Sequence, residues 1–181
     1  VRPTRSLVTV AILLLTLLGI PGLASRVYLN AGMVVLQSAL VPRNDIAPGS
    51  YRYYGVVEST KTAARISDAL QRSVRLDKDD ATARWALARG ALAAWDLGTA
   101  GEQLGTLSGQ TKANPLLSID ALRAYHLLGD AAKVVKVYDS GVWPARTQEI
   151  SDTVALAYLD LSVRAHGTQE APRLLEQARS L

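Results

Sequence analysis

The side chains that could carry chemistry are few. The histidines are His126 and His166. His126 stands beside Leu127 and Leu128 in a helical pattern and reads as a half-buried structural residue. His166 precedes Gly167 at a helix end, where a cation is favoured by the helix dipole. Asp77, Asp79 and Asp80 could suggest calcium, but the loop glycine and terminal bidentate glutamate of a calcium loop are missing. They read instead as a capped turn between helices. No G-x-S-x-G, H-E-x-x-H, phosphate-binding glycine loop or dinucleotide fingerprint occurs. No catalytic, metal or cofactor-binding residue is expected, and an enzyme is not. What remains are guanidinium and aromatic groups that suit recognition. Arg89 and Arg123 stand 34 residues apart, as do Trp85 and Ile119. Tyr51, Tyr53 and Tyr54 cluster beside Arg52, with rings that suit an interface or a membrane surface.

The elements that must position these groups divide into three parts. Ser6 to Ala24 carries no charge, and Arg2 and Arg5 precede it. Such a stretch predicts a single N-terminal membrane-spanning helix, its tail kept inside by the basic residues. A cleaved secretory signal is the competing reading, with Gly22-Leu23-Ala24 as its cleavage site. Pro21 and Gly22 are expected to kink or end the span. Residues 1–24 are thus assigned to tail and anchor, and 25–58 to a juxtamembrane helix (Val27 to Val41) followed by a loop. Residues 59–181 form the helical domain. The chain has 181 residues, 20 basic and 16 acidic, too balanced for nucleic acid. It has no cysteine, so an exported domain of this kind is expected in a bacterial envelope rather than among disulfide scaffolds.

Past Ser59 the pattern is helical throughout. Helices are expected over Thr62–Leu76, Ala81–Ala94, Ala100–Leu107, Pro115–Leu128 and Ala131–Tyr138. Two more are expected, from Ser151-Asp152 to about Ala165 and over Glu170–Leu181. Asp96 and Asp130 each stand between a helix and its return partner, 34 residues apart. The next turn, at Gly167, follows Gly129 by 38.

A period of 34 with a helical hairpin per unit resembles the tetratricopeptide repeat. Leu87 and Tyr125 fit the leucine and tyrosine of the first-helix motif. Ala100-x3-Leu104, Val134-x3-Tyr138 and Ala171-x3-Leu175 are degenerate forms of the second. Pro115 and Pro144 lie near unit boundaries. The motif's tryptophan and glycine have no match, Trp85 being displaced by one residue. The resemblance covers Ser59 to Leu181 and implies an all-α fold, a short α-solenoid of hairpins behind the anchor.

It also implies a concave groove lined by first helices. Trp85, Arg89, Ile119 and Arg123 are its expected partner-binding residues, the two arginines forming a basic ladder that captures carboxylates. Two functions stay open. One is a membrane-anchored interaction scaffold, an accessory or assembly subunit of a bacterial envelope complex, held to the bilayer through residues 6–24 and contacting it through the tyrosine loop. The other is an exported periplasmic adaptor that binds acidic peptide segments. The expected location is the cytoplasmic membrane, single-pass, with the N-terminus inside and the repeat domain outside. Other proteins are the expected partners; no cofactor is.

Overall fold

A computed structural model describes residues 20–42, 55–110, 114–141, 143 and 148–181. Among them the fold is all-helical: α1 (Pro21–Ala39), α2 (Thr60–Leu76), α3 (Ala81–Ala93), α4 (Leu97–Thr106), α5 (Pro115–Leu127), α6 (Ala131–Ser140), α7 (Gln148–Arg164) and α8 (Glu170–Arg179). The exception is a two-residue antiparallel pair, β1 (Val41–Pro42) with β2 (Gly55–Val56), which closes the connection between α1 and α2. Each helix packs on its neighbours in sequence, and α3 also touches α1 and α5.

The bends at Asp96 and Asp130 are built alike, bond for bond. Asp96 N–H donates to Ala91 O at 2.8 Å and Asp130 N–H to Tyr125 O at 2.9 Å. One residue earlier, Trp95 N–H reaches Leu92 O and Gly129 N–H reaches His126 O. This paired closure ends a helix on a left-handed residue, and those residues are Trp95 (φ 62°) and Gly129 (φ 68°). Each aspartate then caps the return helix, accepting at 3.1 Å from Thr99 N–H and Lys133 N–H respectively. Ser59, Asp80 and Asn114 cap α2, α3 and α5 in the same manner.

Burial follows the same interval. Ala83, Leu87 and Ala91 of α3 are buried, as are Leu117, Ala121 and Tyr125 of α5, 34 residues on. In α7 the register is 33, giving Ile150, Val154 and Tyr158. The later spacing of 38 arises beyond these positions. Helix α7 has 17 residues against 13 in α5, and a longer linker follows it. On the return helices Ala100 and Leu104 match Val134 and Tyr138, all buried. Small residues at Ala100, Ala121 and Ala124 let the helices approach, and the larger ones fill the joints.

The N-terminal expectations need correction. The expected span lies outside the described residues up to residue 19. Among the described residues no helix is long and apolar enough to cross a membrane, which overturns the single-pass placement. Residues 21–24 begin α1 rather than end an anchor. Pro21 occupies the first helical turn, where its missing N–H is no loss, so it starts a helix where a kink was expected. Helix α1 lies on α2 through Ala24, Ser25, Gly32 and Leu36. Gly32 is needed there, since a Cβ would stand 2.7 Å from Leu70 Cδ2. Ser25 Oγ donates to Ser73 O at 3.0 Å in the same buried seam. Residues of 25–58 thereby share a core with the helices that follow: Leu36 and Val57 join Ile66, Leu70, Ala86 and Leu87. Helix α7 also starts at Gln148, ahead of the expected Ser151-Asp152 cap.

Candidate functional site

Helices α3 and α5 lie side by side, and their equivalent positions build the densest polar cluster of the expected site. Asp120 sits at its centre. Its side chain is 10% exposed, and it faces α3 at the position equivalent to Ala86 in the 34-residue register. Trp85 Nε1–H donates to Asp120 Oδ2 at 2.9 Å. Arg123 Nη1–H donates to Oδ1 at 3.0 Å from one turn along the same helix. Arg89 Nε lies 3.7 Å from Oδ2, and its guanidinium stands over the Trp85 ring at 5.8 Å. A carboxylate this buried must be paired, since desolvation of a lone charge is prohibitive. Here an indole and two guanidinium groups share it.

Of the four expected groove residues, three therefore converge on one carboxylate that the sequence reading had not singled out. Ile119 takes another role and packs, half-buried, against the hydrophobic core. The two arginines are not alike. Arg123 is 12% exposed and engaged with Asp120. Arg89 is 48% exposed, and only its edge faces the carboxylate. The arrangement is one deep ion pair with a second cation, backed by an aromatic ring, at its mouth. Two positive charges against one negative leave the net charge of the cluster at +1, and that excess lies on the exposed group. Tyr51, Tyr53 and Tyr54 lie outside the described residues.

Asp120 had a sequence signal, though a faint one. It interrupts an apolar helix face one turn before Arg123, 35 residues after Trp85. A carboxylate on the buried side of a helix needs partners, and the repeat interval points to α3 for them. The neighbouring position in α3 is alanine and in α7 it is the fully buried Thr153, so the cluster belongs to the α3–α5 junction.

The remaining candidates sit apart from it. Asp80 caps α3 through Thr82 and Ala83 N–H. With Asp77, Asp79, Arg26 and Asn30 it borders an open cavity of about 530 Å³ between α1 and the α2–α3 turn. Among the described residues no group of histidine, cysteine, aspartate or glutamate side chains is placed to hold a metal ion. His126 borders a second cavity of about 200 Å³, formed with Tyr125, Gly129, Leu156 and Asp160. His166 is exposed in the turn that leads to Gly167.

Electrostatic tuning is found at the hairpin bends. Burial pushes Asp130 up, yet hydrogen bonds from the Lys133 side chain and backbone, together with the charges of Lys133 and Arg164, outweigh it and hold the carboxyl below its usual value. Lys133 rises in return, mainly through its hydrogen bond to Asp130. Burial raises the Tyr125 phenol, against the nearby Lys133 charge, which lowers it. Burial also raises Tyr158, helped by the negative charge of Asp139.

No family model matches the chain, and neither a curated protein nor a solved structure is similar enough to count as a match.

Proposed function

We propose that this chain is a protein–protein interaction module of tetratricopeptide-like helical hairpins. It works as a scaffold or accessory subunit within a protein complex and carries no catalytic chemistry of its own. Support for the repeat reading comes from the matching bends at Asp96 and Asp130 and from burial that recurs in α3, α5 and α7. Hairpins stacked in sequence offer first helices side by side, an extended face suited to a partner segment. The observation that carries the binding reading is the cluster on that face. Trp85 and Arg123 hold Asp120, and the half-exposed Arg89 is left with more positive charge than the chain itself neutralises.

The partner chemistry that fits is an extended segment bearing a carboxylate. Arg89 would grip it with the outer edge of its guanidinium while Trp85 supports the plane from below. The basic ladder becomes a single reading position, because Arg123 is occupied inside the fold. That change alters the test. Replacing both arginines by alanine would strand a buried Asp120, so Arg89→Ala alone is the clean variant.

Fluorescence anisotropy with labelled extended peptides, acidic and neutral forms of the same sequences, checks the reading. Acidic peptides should bind, and Arg89→Ala should weaken them by about tenfold, the loss of one charge-assisted contact. Equal binding of acidic and neutral forms, or an unaffected Arg89→Ala variant, removes the proposal.

A further inference from the structure

Trp95 holds a backbone conformation that suits glycine. Its φ is 62°, and the equivalent residue one repeat later is Gly129 at 68°. The left-handed region costs a residue with a Cβ about 1–2 kcal/mol, and a bulky side chain there is rare. The fold gains no visible core from it: Trp95 is 51% exposed. A strained, exposed aromatic at a hairpin tip is the kind of residue that recognition retains.

Its surroundings extend the surface. Leu128, at the next tip, is 43% exposed. It leans across to α4, where a Cβ on Gly101 would stand 2.6 Å from its Cδ1. Beside that tip lies the 200 Å³ cavity bordered by Gly129, Leu156 and Asp160, large enough for an aliphatic side chain. Leu156 on its rim is 54% exposed. The charge along these tips is negative. Asp96, Asp130 and Asp160 stand against Lys133 and Arg164, which pair with Asp130 at 2.9 Å and Asp160 at 2.6 Å. Asp96 is exposed and spends its cap on a backbone N–H.

We infer that the edge formed by the hairpin tips, from Trp95 through Leu128 to the cavity at Leu156, is a second docking surface that takes a basic amphipathic helix of a partner protein. Apolar side chains of that helix would seat against Trp95 and in the cavity, and its cations would face the tip aspartates. This surface is separate from the Arg89 face, and the inference does not depend on that reading.

The substitution Trp95→Gly tests it sharply, because strain and function oppose each other there. The probe is a synthetic leucine–lysine helix, with its leucine–glutamate counterpart and anionic phospholipid vesicles as controls. The full chain is titrated, followed by tryptophan emission, and melted by heat. Expected is preference for the lysine helix, at least about tenfold weaker binding in Trp95→Gly, and a Tm equal to or above the parent's. Leu156→Lys, which puts a cation on the cavity rim, should weaken the lysine helix too, and Arg89→Ala should leave it unchanged. A fall in Tm for Trp95→Gly assigns the indole to the fold and overturns the proposal. So do equal binding of the two helices, dependence on Arg89, or vesicles taking the place of the lysine helix.

Discussion

The hairpins α3–α4 and α5–α6 share a backbone and differ in what they do with it. Their bends close with the same hydrogen bonds, and each return helix starts on an aspartate cap. Yet one bend turns on Trp95 and the other on Gly129. At one equivalent core position α3 has Ala86 and α5 has Asp120, both buried. The repeated parts are those the backbone requires: caps, a left-handed residue and small side chains at the joints. The departures, Trp95 and Asp120, serve no such need and are costly in isolation. Difference within a repeat thus separates residues that build the hairpin from residues that use it.

The sharpest break in this comparison comes from giving α5 the α3 residue. Asp120→Ala leaves Arg123 deep in the fold without its carboxylate and the Trp85 indole N–H without its acceptor. Removing one partner of a buried ion pair costs about 3–5 kcal/mol, so urea denaturation should show a loss of that order. Asp120→Asn keeps the shape and one acceptor and should fall between. If Asp120→Ala costs less than about 1 kcal/mol, the cluster is looser than its distances imply.

Exchanging the bend residues is the next test. At Gly129 an added Cβ would meet nothing within 4 Å, so Gly129→Ala pays only for the left-handed backbone. The expected destabilisation is about 1 kcal/mol. Together with the stable Trp95→Gly variant it would show that the bend prefers glycine in both hairpins. A neutral Gly129→Ala would mean that the bend relaxes and that Trp95 carries no strain.

The caps differ less. Asp96→Ala and Asp130→Ala each remove a side-chain acceptor from a return helix and should cost about 1 kcal/mol. Asp130 also holds Lys133 at 2.9 Å, but that pair is open to solvent and adds little. Near-equal losses, with the Asp130 variant alone weakened in salt dependence, are expected in thermal melts at two ionic strengths.

How much of this was readable beforehand depends on range. The bends were legible because Asp96, Asp130 and Gly129 announce caps and left-handed closures within a few residues. The apolar positions of α3 to α6 were legible because one face stays buried. Helix α1 was not. It buries Ala24, Ser25 and Gly32 and leaves Val27 and Val34 exposed, so its hydropathy points away from its contacts. Close approach to Leu70 selected the small residues, and no local rule discloses that. Pro21 is compatible with the end of an apolar stretch as well as with the start of a helix, and only the packing on α2 decides. The Arg89–Arg123 spacing was visible, but the carboxylate that binds them comes from a pairing 35 residues long with Trp85, beyond any local pattern.

The smallest effect is in alkali and separates the two hairpins once more. Tyr125 occupies in α5 the position of Ala91 in α3, so only the later hairpin buries a phenol at this joint. Its O–H donates to Gly101 O at 3.5 Å, a long contact that ionisation would abolish. The folded phenol has a raised pKa, chiefly from burial, so the folded state holds its proton more tightly than the unfolded chain. The stabilisation is complete below the unfolded tyrosine value near 10 and is lost as pH rises through the higher folded value. Tyr158, raised for the same first reason, titrates in the same direction. Stability measured in urea should therefore decline above about pH 10, and Tyr125→Phe should flatten part of that decline while Tyr158 sustains the rest. A Tyr125→Phe profile parallel to the parent's would mean that the phenol ionises without leaving its joint, and the α5–α6 hairpin would then be no more sensitive to alkali than its alanine counterpart.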